Sequence, residues 1–150
     1  MSTEAPAPGE RRFLPGIPAD HHGNSERILH VDDEPSVTIT LHRLLQKLGY
    51  SVESFNLPHA AADRFRAAPH DFDLVITDLM MPGMNGIEVA RTVQSLRHGL
   101  PVVLHSAFTD GHDAASIRRN GICEIIAKPA GLAVIAAALR RALASSSSQA

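Results

Sequence analysis

The segment ILHVDDEP, residues 28–35, contains the pattern from which the rest of the chain can be interpreted. Its first four residues, ILHV, predict a buried strand, and two aspartates and a glutamate follow directly. Pro35 suits the first turn of a helix, where the N–H that proline lacks would have no partner. Apolar residues then recur at helical spacing until Gly49: Val37, Leu41, Leu44, Leu45 and Leu48. The segment therefore predicts a strand, an acidic turn and an amphipathic helix in succession.

The same alternation of strand and helix continues along the chain. Further strands are predicted at residues 50–55, 74–76, 102–104 and 125–127. Further helices are predicted at residues 58–67, from Gly86 to about 96, around 114–120 and at 132–143. Five strand–helix units predict an α/β fold, with a parallel sheet covered by helices on both faces. Right-handed crossovers place the carboxyl ends of all five strands at one edge, where open α/β sheets bind their ligands.

The composition excludes several classes of protein. The chain has 150 residues, 44% of them hydrophobic, and a formal net charge of −2. The length fits one domain, and the near-neutral charge argues against a partner that is nucleic acid. The single cysteine, Cys123, excludes an internal disulfide framework and fits a reducing compartment. No apolar run approaches the roughly 20 residues of a spanning helix, so we expect a cytoplasmic protein without a membrane segment.

The two ends of the chain are predicted to lie outside the folded domain. Four of the ten prolines fall in the first 18 residues, and we interpret residues 1–25 as a flexible N-terminal arm. Docking of Phe13, Leu14 and Ile17 onto the domain is the alternative. Residues 145–150 form a polar, serine-rich tail, which leaves a domain at 26–144. Since little chain follows that domain, we expect it to have no output domain of its own.

Five polar side chains come within two residues of the ends of predicted strands. Asp32 and Asp33 follow the first strand, Asp78 the third, Ser106 the fourth and Lys128 the fifth. Each has a simpler interpretation as a helix cap, a turn residue or a solvated surface charge. Together at one edge they fit Mg²⁺ and a phosphoryl group, because the carboxylates attract a hard cation while the ammonium and hydroxyl bind phosphoryl oxygens. Asp78, alone on its strand, is the best candidate nucleophile for an aspartyl phosphate.

At these residues the chain resembles the receiver domain of bacterial two-component response regulators. The matching segments are ILHVDDEP, LVITDLMMPGMNGIE (residues 74–88), PVVLHSA (101–107) and AKP (127–129), and the resemblance covers about residues 26–144. It implies a flavodoxin-like fold with strand order 2-1-3-4-5. It also implies a stand-alone signalling switch that catalyses only its own phosphorylation and dephosphorylation, rather than a turnover enzyme.

The resemblance further implies roles for individual residues. Asp78 would be the phosphoacceptor and would also contact Mg²⁺. Asp33 would bind the metal directly, Asp32 through water, and the backbone carbonyl of Met80 would complete the set of protein ligands. The loop at residues 82–86 would turn the chain into the third helix, its glycines supplying unusual backbone angles.

Lys128 and Ser106 would contact the phosphoryl group of Asp78, and the Lys128–Pro129 bond would be cis. The phosphoryl donor would be a histidine kinase or a histidine phosphotransfer protein. The signal would pass to an unidentified downstream protein by altered binding or by relay, with no direct contact to nucleic acid or membrane. We expect a monomer or a weak homodimer.

The chain departs from the family pattern near its lysine. Most such domains carry an aromatic residue where this chain has Ile125, and a bulky residue where it has Ala130. An isoleucine has no ring to rotate, so we expect intact phosphoacceptor chemistry with a readout unlike the familiar aromatic switch.

Two other function classes remain as alternatives. Haloacid-dehalogenase-like phosphatases use similar groups, but their nucleophile follows the first strand in an Asp-x-Asp arrangement, whereas here the acidic pair comes first. A receiver-like interaction module that works without phosphorylation would usually lack an acid, the hydroxyl or the lysine, and this chain has all of them.

Overall fold

The computed structural model describes residues 13–107 and 113–147 of the chain. The centre of the fold is one five-stranded parallel sheet with the order β2-β1-β3-β4-β5. Its strands are β1 (Arg27–Val31), β2 (Ser51–Phe55), β3 (Leu74–Thr77), β4 (Val102–Ser106) and β5 (Ile122–Ala127). The α/β class and the predicted strand order are both confirmed.

Five helices connect and cover these strands. They are α1 (Pro35–Lys47), α2 (Pro58–Ala67), α3 (Gly86–Leu96), α4 (Ala114–Arg119) and α5 (Leu132–Ser147). The central strands β3 and β4 are buried along their whole length, which explains their continuous apolar runs. Strand β5 begins three residues earlier than predicted. It is an edge strand, whose half-buried Cys123 and Glu124 interrupt the apolar pattern.

The sheet separates two hydrophobic cores. The core on one face lies beneath α2, α3 and α4 and includes Phe65, Phe72 and Leu104. The core on the other face lies beneath α1 and α5 and includes Leu45 and Leu139. Alternate residues of β1, β3 and β4 contribute to opposite cores, as the period of two requires. Both faces are therefore covered, and the edge formed by the carboxyl ends of the strands is left for polar chemistry.

The interpretation of residues 1–25 as a flexible arm is wrong for residues 13–25, which we call the N-terminal segment. Leu14 and Ile17 pack against the core under α1 and α5. His22 is buried, accepts a hydrogen bond from the Leu14 backbone N–H at 2.8 Å and lies 2.9 Å from the Pro18 carbonyl oxygen through Nδ1. Leu14 and Ile17 are half-buried, whereas Phe13 is 48% exposed and its ring contacts His22, so docking describes Leu14 and Ile17 better than a loose arm does. Residues 1–12 lie outside the described residues.

Backbone contacts join the N-terminal segment to the turn that follows α1. The N–H of Gly23 donates to the Leu48 carbonyl, and the N–H of Ser25 donates to the Gly49 carbonyl at 2.8 Å. Gly49 has a φ of +104°, and a Cβ on it would lie 2.7 Å from the Gly23 carbonyl oxygen. This close approach allows the segment to lie directly against the domain.

The C-terminal boundary also differs from the prediction. Helix α5 runs to Ser147, so residues 145–147 continue the helix instead of beginning the tail. Leu139 and Ala142 anchor the preceding turns in the core, and the helix continues beyond Ala142. Across the described ranges, the longest apolar helical stretch falls short of what a bilayer crossing requires.

Candidate functional site

The sheet brings the five predicted residues to one edge. Thr77, the last residue of β3, pairs with Val31 of β1, and the Asp78 N–H donates to the Val31 carbonyl at 3.0 Å. On the other side, the N–H of Lys128 donates to the Ser106 carbonyl at 3.1 Å. These bonds extend the ladders by one residue. They fix the residues that follow β1, β3 and β5 beside the end of β4.

Three carboxylates form the acidic part of this edge. One oxygen from each of Asp32, Asp33 and Asp78 lies within 4.8 Å of the others. Asp32 is fully buried, Asp78 is buried and Asp33 is half-buried. Carboxylates held this close repel one another, and a hard divalent cation with oxygen ligands relieves that repulsion. The donor set therefore fits Mg²⁺, which takes few carboxylates and completes its shell with water and phosphate oxygens.

Lys128 supplies the positive charge at the acidic cluster. Its Nζ lies 2.7 Å from an Asp32 carboxylate oxygen and 3.3 Å from one of Asp78. Burial alone would lower the pKa of Lys128, but the Asp32 hydrogen bond and the two carboxylate charges raise it above its ordinary value. The Lys128–Pro129 peptide bond is cis, as the sequence resemblance implies. Lys128 is thus an ion-paired side chain, in contrast to the solvated surface charge of the simpler interpretation.

Asp32 and Asp78 also act in part as turn residues, which was their simpler interpretation. The Leu79 N–H donates to Asp78 Oδ1 at 2.7 Å, and the Glu34 N–H donates to Asp32 Oδ1 at 3.0 Å. Each aspartate therefore stabilises its own loop through one oxygen. The second carboxylate oxygen of each faces Lys128. Glu34 is the N-cap residue of α1, but its side chain makes no capping hydrogen bond.

The loop between β3 and α3 packs closely against the backbone of Asp78. Gly83 has a φ of +85°, which favours glycine. Gly86 is required for a different reason from the predicted one, because a Cβ there would lie 2.2 Å from the Asp78 carbonyl oxygen. Asn85 begins α3 with a capping box, in which its side chain accepts from the Glu88 N–H at 2.9 Å.

Ser106 and Ile125 occupy neighbouring strands near the lysine. Ser106 ends β4 and is buried. Ile125 is half-buried and packs against the core beneath α2, α3 and α4. Its side chain is thus part of the packing, on the strand that ends at Lys128. Met80 has an exposed side chain, and its place as a backbone ligand stays a prediction.

A groove of about 480 Å³ opens beside the lysine. Apolar side chains of α1, including Val37 and Leu44, form one wall, and Pro129, Ala130 and Ile135 form the other. Ala130 and Lys128 both line the groove.

Sequence reasoning missed two sets of residues around the site. Thr38 is buried on α1 and contacts the backbone of the acidic turn, although an isolated threonine on an amphipathic helix carries no recognisable signal. His30 and His105 are not among the predicted site residues, yet both are buried. Burial, together with the nearby positive charge of Lys128, lowers the pKa of both, that of His30 to about 3.

Comparisons with known proteins agree with this geometry. Residues 28–140 match the family described as the response regulator receiver domain. The two-component response regulator ARR10 of Arabidopsis thaliana is 35% identical over 103 residues, which are 69% of this chain and 18% of that protein. The sensor histidine kinase GacS of Pseudomonas protegens is 33% identical over 108 residues, which are 69% of this chain and 12% of that protein. The chain spans less than a fifth of the length of either relative.

A solved structure shows the same fold. The response regulator protein TrrA from Thermotoga maritima, in complex with Mg²⁺ and BeF, superimposes with a TM-score of 0.71 at 28% identity, covering 79% of this chain and 99% of that one. The family match covers the strands, the acidic cluster and the lysine described above. The chain therefore belongs to the family of response regulator receiver domains.

Proposed function

We propose that this receiver domain accepts a phosphoryl group on Asp78 in a two-component phosphorelay. The donor is the phosphohistidine of a histidine kinase or of a histidine phosphotransfer protein. The observation that carries the proposal is the position of Lys128 Nζ, which lies between Asp32 and Asp78 beside three converging carboxylates. A receiver domain is a signalling module, so the modified state of Asp78 is the output rather than a released product.

The chemistry follows from the groups at the edge. A carboxylate oxygen of Asp78 attacks phosphorus, the bond from phosphorus to the histidine nitrogen breaks, and a P–O bond to Asp78 forms. Asp33, Asp78 and the Met80 carbonyl would hold Mg²⁺, with Asp32 contributing through water, and the ion would neutralise charge on the transferred group. Lys128 binds a phosphoryl oxygen and holds the charge that develops on it. Later attack of water on phosphorus breaks the P–O bond and releases inorganic phosphate.

The Ser106 hydroxyl is the group that we propose to report the phosphoryl state. It ends β4, and its backbone carbonyl is bonded to the Lys128 N–H, so the two residues that bind the phosphoryl oxygens share one rigid edge. Ile125 has no ring to follow a movement of Ser106. The readout therefore differs from an aromatic switch.

The apolar groove beside Lys128 supports a protein partner as phosphoryl donor. A helix that presents a phosphohistidine needs apolar surface next to the acceptor, and the groove between α1 and the turn after β5 offers it. We also propose that the donor is a histidine kinase or a histidine phosphotransfer protein, that a downstream protein receives the signal, and that the chain is a monomer or a weak homodimer.

The test is phosphorylation by acetyl phosphate in the presence of Mg²⁺, followed by intact mass. We expect wild-type protein to gain about one phosphoryl group per chain and Asp78→Asn to gain none. Asp73→Asn is the matched control, because Asp73 is exposed just before the opposite end of β3. Labelling of Asp78→Asn at the wild-type level would refute the assignment.

Two further assays on the wild-type protein distinguish the proposed function from its alternatives. Many turnovers of p-nitrophenyl phosphate per chain would identify an aspartyl-nucleophile phosphatase. A wild-type protein that neither Mg²⁺ nor acetyl phosphate changes would identify a phosphorylation-independent interaction module.

A further inference from the structure

Thr38 connects helix α1 to the turn that carries the acidic residues. The side chain is buried, and its Oγ1 lies 3.0 Å from the Asp32 carbonyl oxygen and 3.1 Å from the Glu34 carbonyl oxygen. The same Oγ1 lies 2.7 Å from Oδ1 of Asn56, directly after β2. One hydroxyl thus contacts the acidic turn, the first turn of α1 and the end of a neighbouring strand.

The number of available protons decides which group donates in each of these contacts. A hydroxyl has a single proton, and the two backbone carbonyls can only accept. The contact with Asn56 is satisfied when the amide turns its NH₂ group toward Thr38, since the two ends of an amide are exchanged by a half rotation. In that amide orientation Thr38 shares its one proton between the carbonyls of Asp32 and Glu34, and the Asn56 NH₂ group donates to Thr38 Oγ1.

Few other contacts fix the acidic turn to the helix. Helix α1 begins with Pro35, which has no N–H, and its N-cap residue Glu34 makes no side-chain cap. The Asp32 N–H donates to the Phe55 carbonyl at 3.1 Å, which fixes the turn to β2. The Thr38 hydroxyl holds the Asp32 carbonyl on the side of α1, and so it fixes the backbone from which Asp32 and Asp33 project.

We propose that Thr38, supported by Asn56, is a positioning residue for the metal site. It keeps the backbone of Asp32 in place so that the adjacent carboxylates stay converged against their mutual repulsion. This inference rests on the metal site of the proposed function. Without the hydroxyl, the buried Asp32 carbonyl loses its partner and the turn relaxes away from the position that a cation requires.

A second polar contact on the same helix provides a matched control. His42, one turn further along α1, has Nδ1 2.8 Å from Oγ of Ser54 in β2. This contact joins α1 to β2, close to where Thr38 meets Asn56 after the end of that strand, but it does not include the acidic turn. If Thr38 only held α1 to β2, loss of either contact would change Mg²⁺ binding to the same extent.

The experiment measures the Mg²⁺ dissociation constant by calorimetric titration for wild type, Thr38→Val, Thr38→Ser and Ser54→Ala. We expect Thr38→Val to bind Mg²⁺ about fivefold more weakly, and Thr38→Ser and Ser54→Ala to stay within twofold of wild type. Far-UV circular dichroism without Mg²⁺ establishes that each variant is folded. If Thr38→Val does not fold, Asn56→Ala, at an exposed position, replaces it with an expected weakening of about threefold.

Two results would overturn the inference while leaving the metal site intact. One is Mg²⁺ binding within twofold of wild type by both Thr38→Val and Asn56→Ala. The other is an equal weakening in Ser54→Ala. A wild-type protein that does not bind Mg²⁺ would instead refute the metal site of the proposed function, so the two failures are distinguishable.

Discussion

The ammonium of Lys128 lies closer to Asp32 than to Asp78, at 2.7 Å against 3.3 Å. Asp32 is also the more buried of the two carboxylates, so its charge depends more on a partner in the protein. Lys128 thus neutralises a carboxylate that belongs to the proposed metal site. Binding of a cation at the cluster competes with this ion pair, which leaves the ammonium available for Asp78 and its phosphoryl group.

Replacement of Lys128 by alanine tests this competition. We expect Lys128→Ala to bind Mg²⁺ about threefold to tenfold more tightly, because the acidic cluster loses its internal counter-charge. Phosphorylation by acetyl phosphate should become slower in the same variant, since no ammonium contacts the phosphoryl oxygens. Calorimetric titration and intact mass measure the two effects.

Lys47→Ala is the control for this experiment, because Lys47 is exposed at the end of α1 remote from the cluster. It should leave both properties unchanged. A collapse of Mg²⁺ affinity in Lys128→Ala would show that the lysine organises the carboxylates and does not compete with the metal.

His30 makes the free energy of unfolding depend on pH. Burial is the main cause that lowers its pKa, from 6.5 to about 3, with the charges of its neighbours adding to the effect. The unfolded chain binds a proton below about pH 6.5 that the folded protein does not bind, so stability is complete above that pH and falls as the pH drops toward 3. The slope is about 1.4 kcal/mol per pH unit for one such group. At pH 5 the loss is about 2 kcal/mol.

Urea unfolding of wild type and His30→Val between pH 5 and pH 7.5 measures this loss. The variant keeps every other titrating group, including His105, whose pKa is also lowered by burial. The difference in slope between the two proteins therefore belongs to His30. Identical slopes would show that His30 is protonated in the folded state or that water reaches it.

Much of the fold could be predicted because local patterns and tertiary structure agree. The buried runs of β3 and β4 have no competing interpretation, and Pro35 and Gly49 limit α1 on both sides. The acidic cluster and Lys128 could also be predicted, because parallel strands with right-handed crossovers must end at one edge. The positions of these residues depend on topology and not on fine packing.

The missed features depend on contacts between residues distant in sequence. Thr38 matters because β2 brings Asn56 to it, and no pattern within α1 shows that. The N-terminal segment looked disordered because its prolines suggest a loose chain, while the burial of Leu14 and Ile17 depends on a surface formed by α1 and α5. Local composition indicates only whether a segment tends to fold by itself. Whether residues 13–25 pack on the domain depends on the surface that α1 and α5 provide.

Gly49→Ala tests whether the N-terminal segment contributes to the stability of the domain. The alanine must adopt a φ of +104°, and its Cβ would press within 2.7 Å of the Gly23 carbonyl oxygen, so the segment must move away. We expect a loss of about 3 kcal/mol in the free energy of unfolding, from backbone strain and from lost packing of the segment. Gly16→Ala separates the two causes, because Gly16 also has a positive φ, of +79°, but nothing lies within 4 Å of the added Cβ. That control should lose only about 1 kcal/mol, the cost of the left-handed conformation. Urea unfolding at pH 7.5 measures both variants, and equal losses would mean that the close approach of Gly23 to Gly49 contributes nothing beyond backbone strain.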